Sequence, residues 1–93
     1  MTPLDPESVP RLAPGCRLSI GADAEAMLLI PEGALRLIGP GRQIVELCDG
    51  ERTMGAIISV LRVQFASEDP ARIEAEVKTF LARLHEKRVI DLT

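Results

Sequence analysis

Tryptophan and tyrosine are absent from this chain, and phenylalanine occurs only at Phe65 and Phe80. The protein therefore lacks the stacking side chains on which single-stranded nucleic acid is usually laid. A cationic surplus is missing too: 11 Lys and Arg stand against 14 Asp and Glu, for a net charge of −3. Phosphate neutralisation supplies most nucleic-acid affinity, so the charge balance argues against that class of partner. No apolar run reaches the roughly 18 residues of a spanning helix. The first residues, MTPLDPESVP, carry acids and prolines where a signal peptide has a basic end and an apolar stretch. A cytoplasmic protein without membrane contact is expected. Cys16, Cys48 and the lone His85 offer too few ligands for a metal site. In the cytosol both thiols stay reduced, and both are read as small buried hydrophobes.

What is plentiful is aliphatic. Hydrophobic residues make up 46% of the 93, almost all Leu, Ile, Val and Ala, enough for one small domain with its own core. Residues 1–15 hold four prolines and no hydrophobic period, so they read as an extended arm, with residues 16–93 as a single domain. Cys16, Leu18 and Ile20 alternate with polar neighbours, the pattern of a strand with one buried face. Met27 to Ile30 is apolar throughout, as a strand covered on both faces would be. Pro31-Glu32-Gly33 is a tight turn, and Ala34 to Ile38 returns as a third strand, expected at the edge of an antiparallel meander.

Gly39-Pro40-Gly41 breaks the third strand and opens a short helix, with Pro40 expected at its first position. Ile44, Leu47 and Cys48 give that helix its apolar side, and Asp49-Gly50 ends it. Thr53 is a good cap for a second helix, whose stripe is Met54, Ile57, Ile58, Leu61 and Phe65. Asp69-Pro70 starts a third, with Ile73, Val77, Phe80, Leu81 and Leu84 on one side, running to about Lys87. Val89, Ile90 and Leu92 form an apolar tail able to make a small strand. The fold class expected is α+β and winged-helix-like: a three-stranded antiparallel N-terminal sheet followed by three helices.

No catalytic constellation stands out. His85 near the end of the third helix suits a solvent-facing role or the helix C-terminus better than general-base work. Ser8, Ser19, Ser59 and Ser67 sit in no nucleophile-elbow pattern. Gly39-Pro40-Gly41 lacks the lysine and the glycine pattern of a phosphate loop. Glu74, Glu76 and Glu86 lie among Arg72, Lys78, Arg83 and Lys87, a mixture typical of a solvated helix face. The reading is a non-enzyme without a cofactor. A winged-helix DNA-binding or transcription-associated domain is the alternative. Its recognition helix, however, would present Glu68, Asp69, Glu74 and Glu76 against Arg72 alone, and would repel phosphates.

An interaction module remains. An edge strand offers unpaired backbone N–H and C=O groups to which an extended peptide can add, and a groove forms if the third helix lies beside it. The other occupants of that edge are the N-terminal arm and a second copy of the chain in a homodimer.

From about Pro10 to Leu92 the chain resembles the PqqD family of PQQ-biosynthesis proteins. The carrying segments are Pro10-Arg11-Leu12 with Arg17-Leu18, then Leu28-Leu29-Ile30-Pro31-Glu32-Gly33. Ile44 to Leu47 running into Cys48-Asp49-Gly50, the Arg52-Thr53 helix start and Lys87-Arg88-Val89-Ile90 complete the match. The chain departs from the family pattern at Glu25-Ala26-Met27 and at Ile38-Gly39-Pro40-Gly41. The resemblance implies a peptide chaperone of the recognition-element type. Such a domain binds a PqqA-like ribosomal precursor peptide and presents it to a PqqE-like radical-SAM enzyme, which carries the cofactors. Carried onto this chain, the peptide edge would be Ala34, Leu35, Arg36, Leu37 and Ile38. The helix side would be Arg72, Ile73, Glu76, Val77 and Phe80.

Overall fold

Alternating side chains and short turns build the first half of the chain, and capped amphipathic stretches build the second. In the computed structural model, which describes residues 5–23 and 25–93, the order begins β1 (Pro10–Leu12), β2 (Arg17–Ile20), β3 (Ala26–Ile30) and β4 (Gly33–Arg36). It continues α1 (Gly41–Glu46), α2 (Met54–Gln64), α3 (Pro70–Glu86) and β5 (Ile90–Leu92). The α+β class, the three-stranded meander and the three helices are as the sequence predicts. A second, two-stranded sheet joins β1 to β5.

The meander has the order β2-β3-β4, all antiparallel. Pro31 and Glu32 form a two-residue loop, because Ile30 pairs directly with Gly33. Directly opposed residues share a sheet face. Leu28, fully buried, faces Leu18 on one side and Leu35 on the other, and this row meets the helices. The opposite face carries Met27 and Leu29, which are only half-buried. Strand β3 is thus fully covered on one face rather than two, since the buried core joins Ala26, Leu28 and Leu37 to helical residues on that side.

Strand β4 ends at Arg36 and not at Ile38. Leu37 still donates its N–H to the Ala26 carbonyl at 3.0 Å and is buried. Ile38 is 78% exposed, and its carbonyl accepts from Gly41 N–H at 3.2 Å. Its carbonyl is thus already committed to the helix entry. Pro40 takes the N-cap of α1 instead of the first helical position. Ile44, Val45 and Cys48 are buried, whereas Leu47 and Cys16 are half-buried. Cys48 donates its Sγ–H to the Ile44 carbonyl at 3.2 Å, and burial pushes its thiol up to about 12, so it is inert at neutral pH.

Helix α2 shows complete satisfaction of its first donors. Met54 and Gly55 donate to the carbonyls of Ser8 and Pro6 at 2.7 and 3.1 Å. Ala56 donates to Thr53 Oγ1 at 3.1 Å, and Ile57 donates to the Thr53 carbonyl at 3.0 Å. Residues 6–8 of the expected arm thus act as part of a helix cap, while its first four residues lie outside the described ones. Asp69 caps α3 by accepting from Ala71 N–H at 3.0 Å, with Pro70 following. Ile57, Ile58 and Leu61 of α2 meet Ile73, Val77, Leu81 and Leu84 of α3 in the core. Glu74 bridges Arg62 and Lys78 on the rim, and those cations hold its carboxyl below the usual range.

Strands β1 and β5 pair in the two-stranded ribbon, Pro10 opposite Leu92 and Leu12 opposite Ile90. The return is made by Arg88, in the left-handed region at φ 60°, which lets Val89 N–H reach the Leu84 carbonyl at 2.9 Å. On the far side of β1, Gly50 N–H donates to the Pro10 carbonyl at 3.1 Å, and Arg11 forms an antiparallel bridge with Asp49. Gly50 sits at φ 78° with its missing Cβ 3.2 Å from Arg11 Cβ, a position that only glycine fills without strain.

Candidate functional site

Strand β4 pairs with β3 on one side, and no strand pairs with its other edge among the described residues. Which of its backbone groups are free follows from the antiparallel ladder. Closely bonded and non-bonded pairs alternate along it, so every second residue turns its N–H and C=O toward the partner strand. Leu37 N–H is bonded to Ala26, which fixes the parity. Gly33, Leu35 and Leu37 face β3, and Ala34 and Arg36 direct their backbone groups to the open edge. The side chains of Ala34 and Arg36 are exposed, and Arg36 pairs with Glu25 at 2.9 Å.

Where β4 runs out, the chain passes beside α3 and leaves a concavity of about 370 Å³. Ile38, Pro40, Gly41 and Ile44 form one wall, and Thr79, Phe80 and Arg83 of α3 belong to the other. The two walls approach closely at Gly41, where a Cβ would stand 3.3 Å from Phe80 Cε1. Gly41 therefore lets the half-buried Phe80 ring lie against the helix entry. A second concavity of about 280 Å³ lies on the other side of Pro40, between Leu61 of α2, Phe65 at its C-cap, and Ile73 and Val77 of α3. Pro40, Arg72 and Glu76 border both, and Arg72 bonds Glu76 at 3.1 Å, so an ion pair divides the two hollows.

The ten residues named from the sequence fall into three groups. Ile38, Arg72, Glu76 and Phe80 border the larger hollow. Ile73 and Val77 reach the smaller one, but they are only 7% and 1% exposed and serve mainly as core. Ala34, Leu35 and Arg36 lie along β4, and Leu37 is buried under it. Sequence reasoning passed over Pro40, Gly41, Ile44, Thr79 and Arg83. Thr79 and Arg83 lie seven and eleven positions after Arg72, and that helical spacing is the signal that could have found them. No group of three or more His, Cys, Asp or Glu among the described residues is placed to hold a metal. No helix among them is long and apolar enough to cross a membrane.

This backbone matches that of a solved RiPP recognition element, the solution structure of the PqqD truncation of Methylobacterium extorquens PqqCD. The TM-score is 0.73 at 37% identity, covering 89% of this chain and 88% of that one. The heterocyclase TruD shares the fold over 92% of this chain and 12% of its own length, with a TM-score of 0.64 at 24% identity. The fold thus defines a domain of the recognition-element class.

The family model described as "Coenzyme PQQ synthesis protein D (PqqD)" matches residues 25–90, and the chain belongs to the PqqD family. A "PqqA binding protein" of Pseudomonas paraeruginosa is 36% identical over 87 residues, 92% of each chain. The "Bifunctional coenzyme PQQ synthesis protein C/D" of Methylorubrum extorquens is 37% identical over 84 residues, 89% of this chain but 22% of that longer protein.

Proposed function

We propose that this protein is a cytoplasmic peptide chaperone of pyrroloquinoline quinone biosynthesis. It binds a PqqA-like precursor peptide as an added strand along β4 and presents it to a radical-SAM enzyme. The observation that carries this reading is the open edge at Ala34 and Arg36, continuous with the groove under Ile38 and Phe80. An extended peptide gains affinity from backbone bonds along such an edge and selectivity from a pocket for its side chains. The names of the relatives, PqqA binding proteins, supply the chemical class of the ligand. The domain contributes recognition, and the bond-making chemistry belongs to the partner enzyme.

Titrating an isotope-labelled sample with a synthetic PqqA peptide tests this. The amides of Ala34 and Arg36 are expected to shift and to slow in hydrogen exchange on binding. Those of Leu35 and Leu37, already bonded to β3, should start protected and change less. Spectra unchanged at high micromolar peptide would remove the proposal, and shifts confined to the β2 edge would move the peptide elsewhere.

A further inference from the structure

The hollow beside β4 is lined by an α3 stripe of Arg72, Glu76, Thr79, Phe80 and Arg83, spaced for one helix face. Its two arginines differ. Arg72 is neutralised by Glu76 at 3.1 Å, whereas the Arg83 guanidinium has no ion-pair or hydrogen-bond partner among the described residues. Lys87 and Glu86, further along the helix, likewise have no ion-pair partner among the described residues and lie outside the hollow, so Arg83 is the unpaired cation that borders its apolar floor of Ile38, Pro40, Ile44 and Phe80. This stands out in a chain whose net charge is −3. A cation at a helix C-terminus also favours the helix dipole, but that role needs no apolar hollow beside it.

We infer that the groove selects an acidic residue next to an apolar one in the bound segment, with Arg83 reading the charge. The inference rests on the proposed peptide reading and adds to it the chemistry of the segment held. The apolar side chain covers Ile38 and Phe80, and a carboxylate of the same extended segment pairs with the guanidinium, which offers a planar fork of donors suited to it. Partial enclosure by the groove lifts such a pair above the small effect of a fully exposed one.

The test is peptide affinity at low and high salt for the wild-type chain, Arg83→Gln, Arg83→Lys and Arg17→Gln. The probe is a synthetic PqqA peptide, together with forms in which its Asp and Glu are changed singly to Asn and Gln. Arg83→Gln is expected to bind about threefold to tenfold more weakly and with a shallower salt dependence. Arg83→Lys should recover part of the loss. Arg17→Gln, the same charge change on β2 away from the groove, should stay within about twofold. One amide-substituted peptide should no longer distinguish wild type from Arg83→Gln. Equal binding by wild type and Arg83→Gln, at unchanged melting temperature, overturns the inference and leaves the peptide reading standing. Failure of the wild-type chain to bind removes both.

Discussion

Strands β1 and β4 each end a small sheet, and they treat their outer edges in opposite ways. Beyond β1 lies the Asp49-Gly50 corner, with Gly50 N–H on the Pro10 carbonyl at 3.1 Å and Arg11 bridged to Asp49. Beyond β4 no strand pairs among the described residues. Unpaired edges are a liability that proteins usually cover, and the outer edges of β2 and β4 are both without a strand partner among the described residues. Under the proposed strand addition, β4 would need no reactive side chain, because its contribution would come from the backbone.

The sharpest way to break the comparison is to substitute proline on each parity of β4. Leu35→Pro removes the N–H that faces β3 and is expected to cost about 3 kcal/mol or more, read as a large drop in the urea midpoint. Ala34→Pro removes an N–H on the open edge, where proline is tolerated, and should fold while losing peptide affinity. A greater loss in Ala34→Pro than in Leu35→Pro would mean that the ladder parity is reversed. A smaller effect comes from opening the sealed edge. Gly50→Ala places a side chain at φ 78° and against Arg11 Cβ at 3.2 Å, with an expected loss of about 1–2 kcal/mol. Peptide binding should persist in that variant at temperatures where it remains folded.

The mildest test is acidification. Asp49 accepts the N–H groups of Arg52 and Glu51, both at 2.9 Å, and these bonds, with the Arg52 guanidinium, hold its carboxyl below the usual range. A depressed carboxyl contributes stability that is complete at neutral pH, above its unfolded pKa. That contribution fades as the pH drops through the ordinary carboxylate range and is gone below the folded pKa. Asp49→Asn should therefore lower stability at pH 7 and flatten the acid limb of the profile. A stability-against-pH curve that keeps its wild-type shape would show that the corner does not depend on this charge.

Helices α2 and α3 are legible in the sequence because each begins on a capping residue, Thr53 or Asp69, and keeps one apolar stripe. The meander is legible because Pro31-Glu32 separates two apolar runs. The β1–β5 ribbon is harder to see, since three-residue strands carry too little alternation and Pro10 masks one of them. The limits of the site were hidden for related reasons. Ile73 and Val77 share the α3 stripe with Phe80, and only packing separates residues that fill the core from one that borders a groove. Arg83 looked like one member of a mixed charged face until the pairing of its neighbours left it alone. Ladder parity depends on register, which is set by the loop and the facing strand together.

The bonding of Val9 with Thr93 has a use in construction. Val9 N–H donates to the Thr93 carbonyl at 3.0 Å, and Thr93 N–H donates to the Val9 carbonyl at 3.1 Å, so residues 9 and 93 stand side by side. A tether fixed at either would leave from one corner of the molecule. A fusion joined at residue 93 would pull on the β1–β5 ribbon rather than on the β2-β3-β4 meander.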